Sequence, residues 1–255
     1  MNTVELTPHR LAGLLAPAVD RTFRAGMLAG RHGGGAELSQ RYGGPTANGY
    51  LVDLRTRLAA PGGTVDGPGF AAVTRYGDPV AVRRAVDKQV AYGMLHRRPD
   101  GALSATERGA AFLTELCQVH AEVTEELWAG HDERVARLVA ALGRVLAYAL
   151  VLADEEGAPT GSAFTALAPP YEPDGTPSGV LLLNRLGTLR YHRADAHAAA
   201  WTAAGHTAST VAALPAGPER VAIELETDRR AAGAYSVLSA DERLTMLADL
   251  AALPG

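Results

Sequence analysis

Cysteine and aromatic residues are scarce in this chain of 255 residues. The single cysteine, Cys117, excludes an internal disulfide framework, so a reducing compartment is expected. Aromatic residues make up only 5% of the chain, whereas hydrophobic residues, largely alanine, leucine and valine, reach 47%. This composition favours helices packed through small side chains over a β-sandwich.

Signals for membranes or export are also missing. No apolar run approaches the ~20 residues that a bilayer span requires. The first ten residues, MNTVELTPHR, lack the basic and then apolar pattern of a signal peptide. We therefore expect a cytoplasmic protein without a membrane partner.

The sequence contains no motif of a common enzyme class. Three consecutive glycines occur at 33–35, but no Gly-Lys-Ser/Thr follows them and no strand is predicted before them. Residues 31–44 are therefore interpreted as a flexible connector and not as a phosphate loop. No nucleotide-binding glycine motif and no nucleophile elbow occurs elsewhere, so the sequence predicts no catalytic residue and no cofactor.

Charge is unevenly distributed in this chain, whose net charge is −4. Residues 75–98 contain six basic and two acidic residues, which gives a local charge of +4 (six minus two). The basic residues of this segment are Arg75, Arg83, Arg84, Lys88, Arg97 and Arg98. Such a patch often forms only a solvated helix face, but local charge is also what determines an electrostatic footprint on DNA.

The same segment has the pattern of a helix, a tight hairpin and a second helix. A helix is predicted over 79–92, with valines facing inward and the arginines outward. Pro99-Asp100-Gly101 is a turn signal, and a second helix is predicted to begin within Leu103-Ser104-Ala105-Thr106-Glu107-Arg108-Gly109, at Ala105. This pattern resembles the MarR family of bacterial transcription regulators, whose restart reads L-T-E-x-G without the extra residue found here. The resemblance covers about residues 46–155.

The resemblance implies a mainly α fold. A winged helix-turn-helix with one short β-hairpin wing is followed by long dimerisation helices, and an α-helical C-terminal region is added here. The expected divisions are 1–45 (N-terminal helix and Gly-rich connector), 46–113 (winged-helix DNA-binding domain), 114–156 (dimerisation helices), 157–179 (linker) and 180–255 (helical C-terminal domain). The linker is predicted from its proline and glycine content.

The resemblance also implies partners. A homodimer would bind double-stranded DNA and respond to a small-molecule effector. All six basic residues are candidate DNA contacts. Arg83 and Arg84 are candidates for reading bases and Lys88 for a phosphate, while Arg97 and Arg98 flank the wing turn.

The C-terminal region lies beyond the resemblance, and helices are predicted there over 181–204, 208–214, 217–232 and 240–253. Its polar and aromatic cluster suggests a ligand pocket formed by Tyr191, His192, Asp195 and Trp201. Histidines with ordinary hydrogen-bonding roles are the alternative. A metal site is not predicted, because His197 is five residues from His192 and zinc sites on a helix favour a spacing of four.

Two classes of function follow. The first is a ligand-controlled, dimeric transcription regulator of the MarR type. The second is an enzyme or small-molecule-binding protein that uses the winged helix as a scaffold, with its site in the C-terminal helices near His192 and Trp201. Cys117, which has apolar neighbours on a predicted helix, is interpreted as a buried small residue.

Overall fold

The computed structural model describes residues 6–155, 157 and 161–255. Residues 1–5 of the predicted N-terminal segment, residue 156 at the end of the predicted dimerisation helices and residues 158–160 of the predicted linker lie outside this description. The fold is mainly helical, with 74% helix and 3% strand, which confirms the predicted class. The small antiparallel sheet has three strands, one more than the predicted hairpin supplies.

The chain begins with the long helix α1, Pro8–Gly30, capped by Thr7, whose hydroxyl accepts a hydrogen bond from the Arg10 amide at 3.3 Å. Residues 31–35 form one wide helical turn, kinked at Gly34 with φ of 112°. Helix α2, Ala36–Arg41, follows directly. The connector predicted over 31–44 is therefore wrong as far as residue 41. The glycines instead permit the backbone of this turn to lie close to Val123, since a Cβ at Gly33 would collide with the Val123 side chain.

A group of short helices and strands follows. Its elements are α3 (Pro45–Asp53), α4 (Arg55–Leu58), β1 (Thr64–Val65), α5 (Gly67–Val73), α6 (Pro79–Ala91), β2 (Leu95–Arg97) and β3 (Leu103–Ala105). The predicted hairpin is present, with Leu95 opposite Ala105. Strand β1 adds to its other edge, so the order is β1-β3-β2.

Two long helices come next, α7 (Glu107–Leu127) and α8 (Asp132–Glu155). By length and composition alone, α8 is apolar enough to cross a membrane, which corrects the expectation that no such run exists. One face of α8 is buried in the protein core through residues such as Leu138, Leu142 and Val145. A core helix of this kind meets the same criteria of length and composition.

The remaining helices are α9 (Ala163–Leu167), α10 (Ser178–Ala203), α11 (Ala208–Ala212), α12 (Pro218–Ala231) and α13 (Ala240–Ala252), with a 3-10 segment at Ala232–Val237. A capping box begins α13, in which the side chains of Ser239 and Glu242 each accept a hydrogen bond from the other's backbone N–H.

Two hydrophobic cores organise these helices. The larger core combines α1 and α8 with α10 and α13, through residues such as Leu15, Leu142, Leu186 and Leu250. The smaller core surrounds the sheet and includes Leu167 of α9. The predicted linker thus contains a short helix that packs into the protein, and the predicted C-terminal domain shares its core with the N-terminal helix.

Candidate nucleic-acid interface and neighbouring cavities

Helix α6 is held in place by its N-terminal cap and by one buried face. The Asp78 side chain caps it by accepting a hydrogen bond from the Ala81 amide at 2.7 Å, and Pro79 occupies the first turn. Val86 and Gln89 are buried, and the Gln89 side-chain oxygen accepts a hydrogen bond from the Tyr50 amide of α3 at 3.2 Å. The opposite face of α6 is therefore exposed to solvent.

Three of the predicted DNA-contact residues lie on this exposed face. Arg83, Arg84 and Lys88 are exposed. None of their side chains forms an ion pair or a hydrogen bond with another residue that the structure describes, and the same is true of the Arg98 side chain. Arg98 lies next to the hairpin turn and is also exposed. These four cations are available to an external anion.

Arg97 joins the hairpin to α6. Its guanidinium donates a hydrogen bond to the Asp87 carboxylate at 2.8 Å, and both side chains remain well exposed. The contact brings the hairpin beside the basic face of α6. It also neutralises part of the charge that the sequence assigned to Arg97, because Asp87 belongs to the same surface.

Arg75 does not belong to this surface, which corrects its assignment as a DNA contact. Its side chain is 14% exposed and forms an ion pair with Asp195 of α10. The same guanidinium donates hydrogen bonds to the Ala72 carbonyl at 2.7 Å and to the Ala194 carbonyl at 3.2 Å. These bonds tie the segment after α5 to α10 and hold the Arg75 side chain away from solvent.

The hairpin turn follows the predicted chemistry. Gly101 has φ of 84°, a left-handed conformation that favours glycine. The Asp100 carboxylate accepts a hydrogen bond from the Ala102 amide at 3.0 Å, and the Arg98 amide donates to the Ala102 carbonyl at 2.8 Å. Arg98 is thereby held at the tip of a defined turn.

The four residues predicted to form one ligand pocket are distributed over different places. Tyr191 lines a cavity of about 510 Å³ between α1, α5 and α10. His192 and Asp195 line another cavity, of about 580 Å³, near α9. The Trp201 indole N–H donates a hydrogen bond to the Tyr76 hydroxyl at 3.2 Å. None of the cavities identified among the described residues is therefore lined by all four residues of the predicted pocket.

Asp195 has a structural role within the protein. Its carboxylate accepts hydrogen bonds from the Ser162 hydroxyl at 2.7 Å and from the Phe164 amide at 2.8 Å, which caps α9. Together with the ion pair to Arg75, these bonds satisfy the carboxylate. Asp195 therefore has little capacity left for a ligand.

His192 differs from Asp195 because one of its ring nitrogens lacks a partner. Burial lowers the pKa of His192 to about 4, so its imidazole is neutral at pH 7. The buried Nδ1 has no hydrogen-bond partner among the described residues. Within the described ranges, no group of three or more His, Cys, Asp or Glu side chains is arranged to hold a metal ion.

A further cavity, of about 520 Å³, was not predicted from the sequence. It lies between α4, α7 and α10, and Arg55 and Cys117 are among its lining residues. Cys117 is exposed, which corrects its interpretation as a buried residue. Arg55 is only 8% exposed. The sequence contained a signal that Arg55 is buried. Leu51, Leu54, Arg55 and Leu58 have the spacing of residues on one face of a helix, and the three leucines predict that this face is buried.

Comparison of the chain with family models, with curated proteins and with solved structures gave no match. The exposed cations of α6 and the hairpin, together with the three cavities described above, are therefore the basis for assigning a function.

Proposed function

We propose that this protein is a DNA-binding transcription regulator of the MarR type, controlled by a small-molecule ligand. The order of elements between residues 45 and 105 supports this proposal. Two helices (α3 and α4), a strand, two further helices and a two-stranded hairpin follow one another in that range, with β1 paired to β3. A winged helix-turn-helix has this order when α3 and α4 together take the place of its first helix, with α6 as the recognition helix and the β2-β3 hairpin as the wing.

The observation that best supports DNA binding is the set of unpaired cations on α6 and the hairpin. The side chains of Arg83, Arg84, Lys88 and Arg98 are exposed and lack partners among the described residues. The contact between Arg97 and Asp87 places the hairpin beside the helix that bears the other three. Protein surfaces of this kind neutralise phosphates and release counterions, which is the main source of affinity for DNA.

In the proposed complex, α6 enters the major groove. Arg83 and Arg84 are candidates for bidentate pairing with guanine, and Lys88 for a phosphate. Arg98 at the turn would contact the adjacent backbone or minor groove. Arg75 has no part in this contact, because it is paired with Asp195.

A two-fold dimer completes the proposal. Two recognition helices separated by about one turn of DNA would match a palindromic operator. Exposed apolar side chains on the long helices, Leu14 and Leu28 on α1 and Val151 on α8, support an interface there. The proposed location is the cytoplasm, where the protein would meet DNA.

A second candidate function is an enzyme or small-molecule-binding protein whose site lies near His192. The unpartnered Nδ1 of His192 and the cavity that this residue lines favour it. This candidate makes no use of the exposed cations on α6.

Fluorescence anisotropy with genomic DNA fragments at several salt concentrations tests the regulator. We expect selective binding that weakens steeply with salt. The double variant Arg83→Glu/Arg84→Glu should lose this selective binding, because each of the two arginines is proposed to read a base. The matched control is Arg10→Glu/Arg31→Glu, which reverses two exposed charges on and beside α1. Equal binding by both double variants would refute the role of α6.

A further inference from the structure

The cavity of about 510 Å³ between α1, α5 and α10 combines apolar and aromatic walls. Its apolar wall includes Val19, Val73 and Leu189. Three of the eight tyrosines of the chain also line it: Tyr76, Tyr191 and Tyr235. Tyrosine offers an apolar ring face together with a hydroxyl group. This lining therefore suits a ligand that has both apolar C–H surface and oxygen-bearing groups.

Every charged side chain that lines this cavity is ion-paired within the described part of the chain. Arg190 donates two hydrogen bonds to the Asp20 carboxylate, at 2.8 and 3.0 Å, and Arg193 forms an ion pair with Glu224 at 3.1 Å. The third arginine of the lining forms the ion pair to α10 described above. Burial lowers the pKa of His197, which is therefore neutral at pH 7. A ligand with a net charge would meet no uncompensated opposite charge, so the cavity favours an uncharged molecule.

Two hydrogen-bonding groups of the lining are left without a partner. Tyr235 is 4% exposed, and its hydroxyl forms no hydrogen bond with a described residue. Its oxygen is not fully enclosed by the protein, so it opens towards the cavity that the residue lines. Burial raises the pKa of Tyr235, so the hydroxyl keeps its proton at neutral pH and can both donate and accept. Nη1 of Arg190 is also free, because Nε and Nη2 hold Asp20.

These groups match the hydroxyls of a sugar. Each ligand hydroxyl can accept one hydrogen bond and donate another, so it is best held by a donor and an acceptor together. Arg190 and Asp20 present N–H groups and carboxylate oxygens side by side, and Tyr235 supplies a group of both kinds. Neighbouring hydroxyls on a carbon ring with apolar C–H faces are characteristic of sugars and cyclic polyols, and such faces pack on aromatic rings.

We propose that this cavity binds an uncharged monosaccharide or cyclic polyol, with its hydroxyls on Arg190, Asp20 and Tyr235 and its C–H face against the apolar wall. The cavity volume lies within the roughly 300–1,000 Å³ of small-molecule sites. Arg190 and Tyr235 belong to the C-terminal region, beyond the part of the chain that resembles the MarR family. The inference goes beyond the proposed function, because sugar binding requires neither DNA nor a dimer.

Isothermal titration calorimetry of the full-length protein without DNA tests the site. The probes are glucose, galactose and mannose, each paired with its 6-phosphate, and myo-inositol paired with cyclohexanol. We expect saturable binding of at least one uncharged probe that is rich in hydroxyls. Its paired compound should bind at least about fivefold more weakly, because a phosphate meets carboxylates without a free cation and cyclohexanol has a single hydroxyl.

Two variants locate the bound molecule. Tyr235→Phe removes the free hydroxyl without breaking a hydrogen bond between described residues, and it should weaken binding about threefold to tenfold. Tyr148→Phe, on α8 and outside the cavity lining, is the matched control and should bind like the unmodified protein. Ala16→Trp adds bulk at a position of α1 that lines the cavity, and it should abolish binding.

Three results would overturn the proposal. The first is that no uncharged probe binds saturably at millimolar concentration, and the second is that a 6-phosphate binds more tightly than its parent sugar. The third is that Tyr235→Phe and Ala16→Trp both bind as tightly as the unmodified protein.

The DNA titration decides separately whether the protein is a regulator. Sugar binding by a protein that ignores DNA would retain this site and refute only the regulator. Selective DNA binding by a protein that ignores every probe would retain the regulator and refute the sugar site.

Discussion

Arg75, which follows α5, and Asp195, in α10, form an ion pair in which the side chains are 14% and 23% exposed. The Asp195 carboxylate also caps α9 through the Ser162 hydroxyl and the Phe164 amide. One carboxylate therefore holds three segments of the chain together. The proposed DNA-binding region is joined to the C-terminal helices at this point.

Breaking this pair is expected to destabilise the protein. We expect Arg75→Met or Asp195→Asn to lower the free energy of unfolding by about 2 kcal/mol, since each leaves a largely buried partner unsatisfied. A double-mutant cycle in urea should show a coupling energy of about 1–3 kcal/mol. The matched control is the exposed pair of Arg97 and Asp87, where we expect less than about 1 kcal/mol. Similar coupling energies for the two pairs would contradict the structural role of Asp195.

His120 and His192, whose rings are desolvated, should make the free energy of unfolding fall in mild acid. Burial lowers the pKa of His120 to about 3 and that of His192 to about 4, whereas an unfolded histidine titrates near 6.5. Below about pH 6.5 the unfolded chain therefore binds more protons than the folded protein. The stability is fully present above that pH, and it decreases by up to about 1.4 kcal/mol per pH unit for each histidine as the pH falls towards the folded pKa.

Urea unfolding between pH 6.5 and 5 measures this effect before most carboxylates titrate. We expect His120→Gln to reduce the dependence of the unfolding free energy on pH, whatever its effect on stability at pH 7. His9→Gln, at an exposed position on α1, is the control and should leave the dependence unchanged. An unaltered slope in His120→Gln would show that this imidazole does not stay neutral.

Removal of the C-terminal region tests the predicted division into domains. A chain that ends at Glu155 lacks α10 and α13, which share the larger core with α1 and α8. Leu15 and Leu142, both fully buried, would then lose part of their cover. We expect aggregation during size-exclusion chromatography, whereas a soluble dimer would support a separate C-terminal domain.

The sequence was a good guide to helices whose pattern is local. The hydrophobic spacing of α6, α10 and α13 depends on neighbours within one or two turns, so the predicted ranges 79–92, 181–204 and 240–253 match these helices to within a few residues. The hairpin was equally predictable from the sequence, because Asp100 and Gly101 specify a tight turn by themselves.

Features that depend on distant contacts were missed. Strand β1 has two residues and exists through pairing with β3, about forty positions later in the chain. The glycines at 33–35 led to the prediction of a connector, but in the structure they permit a close approach between the kinked segment and α7. Cys117 has apolar neighbours in sequence, yet α7 turns it towards a cavity and solvent.

The amino-acid sequence by itself determined the mainly helical class, the hairpin and the basic character of residues 75–98, because these follow from local spacing and composition. Only the tertiary structure decided which charged side chains are free to bind an external anion. It paired Arg75 with Asp195, left Arg83, Arg84 and Lys88 exposed, and buried Arg55 with a hydrogen bond to the Val52 carbonyl but without an ion pair to a described residue. The physical reason is that a charge is satisfied by groups close in space, and the sequence does not state which groups those are.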